Sequence, residues 1–547
     1  MITSGGDFLS GPKTIRQMLG ESAEKYKDNC AFTFLGKDGK KVEISYKRLE
    51  ADVEHLSLSL LYELKAKGGK AAIICYNCYE WCVCYLACLC SGIVAVPVDR
   101  ELSGGDIGEI LTFADVKVVF CDSKSELKLR KKPEVSYVVT DSSGESEFDK
   151  LLKKGEQLKR EGYAVSCEIN EDALAVLLFT SGTTGNPKGV MLSNRNLCSD
   201  LYLVRDNVKA SERDRTLSVL PLHHTYETIA FLMMLYCGGS IAFCGGIRYL
   251  GKSFTVFSPT IFVTVPLILE KLHEKLLSEI EQKGMRQKFR LASIMSSAMN
   301  GEKKKRLFSS VHEFFGGRLD KIIVGAAALQ QSAAEDFELF GFRIIIGYGL
   351  TECSPIVICN SEVDRTSDTV GKPLREVQVK IRNADEKGVG ELLIKGPMVM
   401  KGYYKNEKAT SEVFSEGWFC TGDLGYCDKN GRYRITGRCK NVIVTKNGKN
   451  IYPEELEHRL MKNPYVKECI VYSEKGDIVS CEIVAEIPLI EVKLKKKNPS
   501  DEEIKSVINE TVRSLNRILP SYKRIKKVHV RKEEFNKTTT HKIKRKY

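Results

Sequence analysis

An apolar run, Ala173 to Phe179, leads straight into Phe179-Thr-Ser-Gly-Thr-Thr-Gly-Asn-Pro-Lys-Gly189. The run is short and apolar, as a buried strand is. The loop that follows carries three glycines, four hydroxyl residues and one lysine within eleven positions. Glycine lets a backbone bend tightly and approach a ligand closely. Successive main-chain N–H groups, with Thr180, Ser181, Thr183, Thr184 and Lys188, make a cradle suited to a polyphosphate. The common nucleotide loop reads GxxxxGK[ST], and this stretch departs from it: Lys188 is followed by Gly189, not by a hydroxyl residue. A plain Ser/Thr/Gly surface loop is the structural alternative.

A chain of 547 residues is too long for one core and predicts at least two domains. Short apolar strands alternate with helices from Thr14 to about Val165, at Ala71–Cys75, Ile93–Val98, Val116–Cys121 and Tyr137–Thr140. Alternation of this kind indicates an α/β domain with a largely parallel sheet. The strand before the glycine loop is read as opening a second α/β unit, Glu171 to about Leu350. Its further strands fall near Thr216, at Ser240–Cys244, Ile261–Val265, Lys321–Val324 and Arg343–Ile346. From Val370 to about Thr436, short alternating strands and turns suggest a small β-rich subdomain. A compact α+β tail follows, with a helix starting at Pro453 and two acids, strands at Glu468–Tyr472 and Ile483–Glu486, and a helix near Ile504–Ile518.

The net charge of +13 favours anionic partners: nucleotides, CoA or acidic lipid headgroups. Much of it lies in Lys493–Lys497 and Lys523–Lys546; these runs read as solvated faces rather than a nucleic-acid surface. The N-terminal sequence shows no basic region followed by an apolar core, so no signal peptide is expected. Nineteen cysteines, an odd number, then suggest reduced thiols in a cytoplasmic setting. Peripheral contact with a membrane surface through the basic patches stays open beside that reading. Six cysteines fall between Cys75 and Cys90. No paired zinc-ribbon knuckle follows them, and free cysteine often serves as a small core hydrophobe, so core packing is the expectation. Trp81 to Val98 is uncharged and barely long enough to span a bilayer. Ser91-Gly92 interrupts it, and it reads as a buried helix, a turn and a strand.

Further stretches carry chemistry-bearing residues. In Gly347-Tyr-Gly-Leu-Thr-Glu352, Tyr348 offers an aromatic face to a purine, and Thr351 and Glu352 offer oxygens to magnesium. In Trp418-Phe-Cys-Thr-Gly-Asp-Leu-Gly425, Asp423 can accept from two ribose hydroxyls. Arg438 presents a fixed fork of donors. Each alone is an ordinary turn. Together, in this order, with the glycine loop and Phe535-Asn-Lys-Thr-Thr-Thr-His-Lys-Ile-Lys-Arg545, they resemble the acyl-adenylate-forming superfamily of acyl-CoA synthetases, luciferases and adenylation domains.

The resemblance covers essentially the whole chain. Within the superfamily it is strongest to long- and medium-chain fatty acyl-CoA synthetases, through Leu220-Pro-Leu-His-His-Thr-Tyr-Glu227 and Pro259-Thr-Ile-Phe-Val-Thr-Val-Pro-Leu-Ile-Leu-Glu270. It implies an N-terminal domain over 1–437 (subdomains about 1–165, 166–350 and 351–437), a hinge at 438–440 centred on Lys440, and a mobile C-terminal domain over 441–547. It implies catalytic roles for Lys542, Glu352, Thr184 and His224, with Thr184 and Glu352 on magnesium. The nucleotide would be held by Thr180, Ser181, Gly182, Thr183, Thr184, Gly185, Lys188, Gly325, Ala326, Ala327, Gly347, Tyr348, Gly349, Thr351, Asp423 and Arg438. Gly448 would lie on the loop presented to the thioester step. The implied reaction is activation of a fatty acid by ATP to acyl-AMP, with release of pyrophosphate, then transfer to CoA. An acyl-carrier-protein ligase or a fatty acyl-AMP ligase with a different acceptor, and after these a non-catalytic acyl or nucleotide sensor, are the alternatives. His541 stands where the family usually has glycine.

Overall fold

The computed structural model describes residues 11–547 except 143, 181–187, 283, 285, 297–298, 328, 445–449, 475–477, 538–542, 544 and 546–547. For 286–288, 290 and 444 it describes the backbone alone. Packing divides the chain into two compact units: Met1–Gln378 with Ile394–Phe419, and Val379–Leu393 with Cys420–Tyr547.

The first unit is built on two sheets. One runs, edge to edge, through Gly402–Tyr403, Lys188–Ser193, Leu174–Thr180, Val94–Pro97, Lys70–Ile74, Val118–Cys121 and Ser136–Val139. Its pairs are parallel from Leu174–Thr180 onward and antiparallel at the Lys188–Ser193 end. The other runs through Lys372–Pro373, Ile356–Cys359, Arg343–Gly349, Lys321–Val324, Ile261–Thr264, Arg215–Ser218, Ser240–Phe243, Cys30–Leu35 and Lys41–Ser45. Its centre is parallel and its outer pairs antiparallel. Central strands such as Val118–Cys121 and Ile261–Thr264 are buried at every position, which is why they are continuous apolar runs in sequence.

The sheets divide the chain differently from the sequence-based boundary near residue 165. The strand before the glycine loop pairs with Val94–Pro97 in the first sheet rather than opening the second. The early hairpin Cys30–Leu35/Lys41–Ser45 instead joins the second, beside Ser240–Phe243. Apolar strands of equal character fit either sheet, so periodicity could not choose between them.

The cysteine-rich stretch forms the helix Tyr79–Ser91, opened by the Cys78 side chain accepting from the Trp81 N–H and closed by Gly92 at φ +70°. It is buried almost all round, as a core helix must be. Trp81 stacks on Tyr85 with ring centroids 5.1 Å apart, and both meet Phe231 edge-on. Burying a large apolar side chain contributes about 1.5–3 kcal/mol. Cys75, Cys78, Cys82, Cys84, Cys88 and Cys90 are all buried, and burial pushes the Cys90 thiol up to about 12. They pack as small hydrophobes.

Gln378–Arg382, Gly390–Lys395 and Trp418–Cys427 belong to a small sheet to which Tyr433–Arg438 adds a strand, and all but the ends of these strands fall in the second unit. The C-terminal portion carries a sheet of Val466–Glu474, Ile478–Ala485 and Lys527–Arg531. Against it pack the helices Pro453–Met461 and Asp501–Ile518, through Leu456, Leu460, Val507, Ile508, Val512 and Leu515. The longer helix starts at a reciprocal cap: the Glu503 N–H donates to Ser500 Oγ, and the Ser500 N–H donates back to Glu503 Oε2.

Candidate active site

The glycine loop joins two antiparallel neighbours in register, Thr180 opposite Lys188. Ser181, Gly182, Thr183, Thr184 and Gly185 lie outside the described residues; Thr180 and Lys188 flank them. Gly189, just beyond, is set by packing: a Cβ there would lie 3.0 Å from Leu177 Cδ1 and 3.2 Å from Tyr404 Cβ. The Tyr404 N–H donates to Gly189 O at 2.7 Å, and Gly402–Tyr403 pairs with Met191 and Val190. That pairing carries Tyr403 to Lys188, whose Nζ stands 4.9 Å from the centre of the Tyr403 ring. Tyr403 Oη donates to Glu352 Oε1 at 2.9 Å. Burial, with the Glu352 carboxylate beside it, pushes the Tyr403 phenol up. A lysine, a phenol and a carboxylate thus form one chain of contacts.

Glu352 reaches this point from the second sheet. It sits on the short turn Thr351–Cys353 after the Arg343–Gly349 strand, and its carbonyl accepts from the Met400 N–H at 2.8 Å. Gly349 is required there, since a Cβ would lie 1.8 Å from Pro355 O. Tyr348 and Gly347, on the same strand, pair with Ile358 and Cys359. The next strand ends at Val324, in register with Ile346, so Gly325 follows beside Gly347. Ala326 has φ +73°, a left-handed conformation uncommon for alanine, and it and Ala327 are exposed. Ala328 is outside the described residues.

Tyr226 fills the space a side chain at Gly325 would need: a Cβ there would lie 3.0 Å from Tyr226 Cζ. The Tyr226 hydroxyl donates to Ile323 O at 3.2 Å. His224 occupies the N-cap position of the helix Thr225–Tyr236, its ring 4.2 Å from that of His223. His223 lies 3.7 Å from Asp99, and burial pushes it down to about 4, which leaves it neutral. The seam lined by Tyr85, Leu178, Leu197, Thr225, Thr228 and Ile229 is packed too tightly to hold a water molecule.

Two residues of this region are given no role by the sequence reading. Tyr403 is one; its signal is the Gly402-Tyr-Tyr404 string, which reads as an ordinary strand edge. Glu227 is the other. It is 3% exposed inside an apolar helix and has one buried carboxylate oxygen with no hydrogen-bond partner among the described residues. Burial pushes its carboxyl up to about 8.

In the second unit Asp423 and Arg438 face each other across paired strands, with Arg438 Nε 3.0 Å from Asp423 Oδ1. The Asp423 N–H donates to Thr421 Oγ1, and the Thr421 hydroxyl donates to Leu392 O. Lys440 lies on the turn Cys439–Asn441, inside this unit. Burial and the cations Arg438 and Arg545 push its ammonium down. Gly448 and Lys542 lie outside the described residues. Close by in sequence, Arg545 donates to Val471 O at 3.1 Å and to Glu457.

Sequence profiles decide what this arrangement belongs to. Residues 19–404 match the AMP-binding enzyme family, and residues 440–547 match the AMP-binding enzyme C-terminal domain. This chain belongs to the AMP-binding enzyme family. Among similar proteins is long-chain-fatty-acid–CoA ligase 5 of Rattus norvegicus, 30% identical over 477 residues, covering 79% of this chain and 69% of that one. Long-chain-fatty-acid–CoA ligase FadD15 of Mycobacterium tuberculosis is 28% identical over 462 residues, covering 80% and 76%. The fold is shared with solved structures. ATP-bound MatB from Rhodopseudomonas palustris has a TM-score of 0.75 at 23% identity, covering 97% of each chain. O-succinylbenzoate CoA synthetase from Bacillus subtilis, in complex with ATP and magnesium, has a TM-score of 0.73 at 23% identity, covering 96% of this chain and 98% of that one.

Proposed function

We propose that this chain activates a fatty acid with ATP, forming acyl-AMP and pyrophosphate, and then transfers the acyl group to the thiol of CoA. The observation that carries the reading is the Lys188–Tyr403–Glu352 chain, which places a cation and an acid at the two ends of a glycine loop and a glycine turn. Similarity to long-chain fatty acyl-CoA ligases supports the acyl substrate.

A carboxylate acylates poorly because its leaving group would be oxide. Attack of the carboxylate oxygen on the α-phosphorus makes a mixed anhydride and expels pyrophosphate. Two anions must meet, so positioning and charge neutralisation supply most of the catalysis. Lys188 and the loop hydroxyls, Thr184 included, are assigned to the β- and γ-phosphates. Glu352 fits a magnesium ion: Tyr403 engages one carboxylate oxygen and leaves oxygen donor capacity, and magnesium is usually held by one or two carboxylates with phosphates and water. Magnesium, when bound, neutralises phosphate charge. Tyr403 orients Glu352. Gly347, Tyr348, Gly349, Thr351, Gly325, Ala326 and Ala327 are assigned to the nucleotide, and Asp423 with Arg438 to the ribose. Lys542 is assigned to bridging the carboxylate and α-phosphate oxygens, Lys440 to the hinge between the two half-reactions, Gly448 to the thioester step and His224 to the acyl end.

The buried helix Thr225–Tyr236 and the closed seam beside it suit an apolar chain that enters by displacing side chains. Among the described residues no helix is long and apolar enough to cross a membrane, and peripheral contact through the basic stretches belongs to the same reading. The test is pyrophosphate release across a series of fatty acids, with the thioester product identified by mass spectrometry. Release that fails to depend on fatty acid overturns the proposal. A product found on acyl carrier protein but not on CoA changes the acceptor.

A further inference from the structure

The strands that lead to Gly325 and Gly347 deliver those glycines at their carboxyl ends, the usual place for a ligand in a parallel sheet. At the opposite edge of the same sheet lies an open cavity of about 370 Å³, lined by Arg213, Arg215 and Arg318. It opens where Arg215, Ser240 and Cys30 begin their strands. Thr216, Ile261, Lys321 and Arg343 form one row across the sheet. Arg215 precedes that row and Gly347 lies beyond it, which puts roughly 16 Å of strand between their levels at ~3.3 Å per residue.

The backbone of Arg215 is fixed on both sides. Its N–H donates to Thr260 Oγ1 and its carbonyl accepts from the Thr260 N–H, each at 2.9 Å. Two more bonds aim the side chain: Nε donates to Ser240 Oγ at 3.0 Å, and Nη1 donates to Phe257 O at 3.0 Å, at the end of the helix Leu250–Phe257. A guanidinium has five N–H donors, and these bonds use two of them. Among the described residues the other three meet no acceptor, and none of the three arginines forms an ion pair. The nearby acids do not supply a partner. Asp214 accepts from the Ser211 N–H, the Ser211 hydroxyl and the Thr260 hydroxyl, which hold its carboxylate. Glu212 is exposed. Arg213 and Arg318 are exposed too, and Arg318 Nη2 reaches Arg213 O at 3.5 Å, which brings both to one rim.

We propose that this cavity is a second binding site, for a small phosphate-class anion such as inorganic pyrophosphate or a compact phosphate ester, held by the unused donors of Arg215 and drawn in by Arg213 and Arg318. The site goes beyond the functional reading above and stands without it. Charge gives the sign of the ligand, since three arginines outnumber Glu212 and Asp214. The guanidinium fork gives its class: two parallel N–H donors match two oxygens of a phosphate. The remaining wall gives its size. It consists of Asn29, Cys30 and Ser240, with no aromatic ring for a purine and no apolar side chain for an acyl chain. The volume lies at the small end of small-molecule pockets, roughly 300–1,000 Å³. A protein partner would need roughly 800 Å² of surface, which a recess of this kind does not present. A half-buried cation without a counter-charge is unfavourable. An anion in the cavity removes that cost, so it binds the folded chain and stabilises it by mass action.

The test is calorimetric titration of the full chain with inorganic pyrophosphate in the absence of magnesium, with a thermal melt at each concentration. Wild type should bind, more weakly as salt is raised, and its melting midpoint should rise with pyrophosphate. Pyrophosphate also fits the candidate active site, so the titration is repeated on Lys188→Ala, where the isotherm of the cavity should persist. Arg213→Ala/Arg318→Ala should weaken that isotherm about tenfold, as two exposed charges do together, and leave the ligand-free melting midpoint at the wild-type value. Arg215→Gln should weaken it about tenfold or more, because charge-assisted hydrogen bonds to the anion go. If Arg215→Gln lowers the ligand-free midpoint, the rim variant decides. Absence of binding by Lys188→Ala, or an isotherm that the rim variant leaves unchanged, overturns the proposal. So does tighter binding of a tetra-aspartate peptide than of pyrophosphate. A chain that makes no acyl-CoA, yet binds pyrophosphate and loses it in the arginine variants, upholds the cavity and sinks the functional reading instead.

Discussion

Replacing Tyr403 by phenylalanine removes one oxygen from the centre of the candidate site. The Tyr403 hydroxyl donates to Glu352 at 2.9 Å, and its ring sits under Lys188 at 4.9 Å. Phenylalanine keeps the ring and loses the hydroxyl. A hydrogen bond to a charged group is worth about 1.5–3 kcal/mol. At about 1.36 kcal/mol per tenfold in rate, kcat/KM should fall roughly 10- to 150-fold if that bond aims Glu352 at magnesium. Pyrophosphate release, measured across ATP and fatty-acid concentrations and titrated with magnesium, is the assay. The variant should require more magnesium for half-maximal rate, which a merely structural tyrosine would not produce. Tyr403→Leu should lose a further ~0.5–2 kcal/mol, because the cation–π contact with Lys188 goes too. If Tyr403→Phe keeps kcat/KM within about twofold, Tyr403 does not position Glu352. If activity and thermal stability fall together with magnesium dependence unchanged, the residue is structural.

Glu227 should give a pH signature in stability. Its folded-state pKa is raised to about 8 by burial, so the unfolded state ionises first. Stability is therefore highest below the unfolded value of about 4.3, falls as pH rises towards 8, and levels off above it. Glu227→Gln should flatten that fall while keeping the side chain's size; an unchanged pH profile of the denaturant midpoint would show that another group is responsible. Lys542→Ala should abolish acyl-adenylate formation and leave thioester formation from supplied acyl-AMP largely intact, measured as two separate half-reactions. Equal loss of both would return Lys542 to a structural role. Lys440→Pro fixes φ at the turn Cys439–Asn441 and should let acyl-AMP accumulate while acyl-CoA production stalls, with the thermal midpoint little changed. Wild-type acyl-CoA production by that variant would remove Lys440 as the hinge.

The residues themselves determined a good deal. The glycine loop needs no tertiary partner to be recognised, because close backbone approach and hydroxyl density are properties of consecutive residues. Continuous apolar runs such as Val118–Cys121 declared buried parallel strands, and Ser91-Gly92 declared the end of a buried helix through the conformation only glycine adopts freely. The helix at Pro453 was legible for the same local reason, from its proline and two acids, whereas the helix expected near Ile504 begins three residues earlier, at the Ser500 cap. What the tertiary structure decided is which distant segments meet. Strand membership depends on pairing across more than a hundred residues, as when Cys30–Leu35 takes its place beside Ser240–Phe243. Tyr403 becomes a partner of Lys188 and Glu352 only because Gly402–Tyr403 adds an edge strand to Lys188–Ser193, and nothing in its local sequence encodes that neighbour. Glu227 looks in sequence like the acid of a helix's first turn, which solvent would ionise freely. Burial alone makes it a carboxyl that keeps its proton, since the charged form loses its water when the core closes.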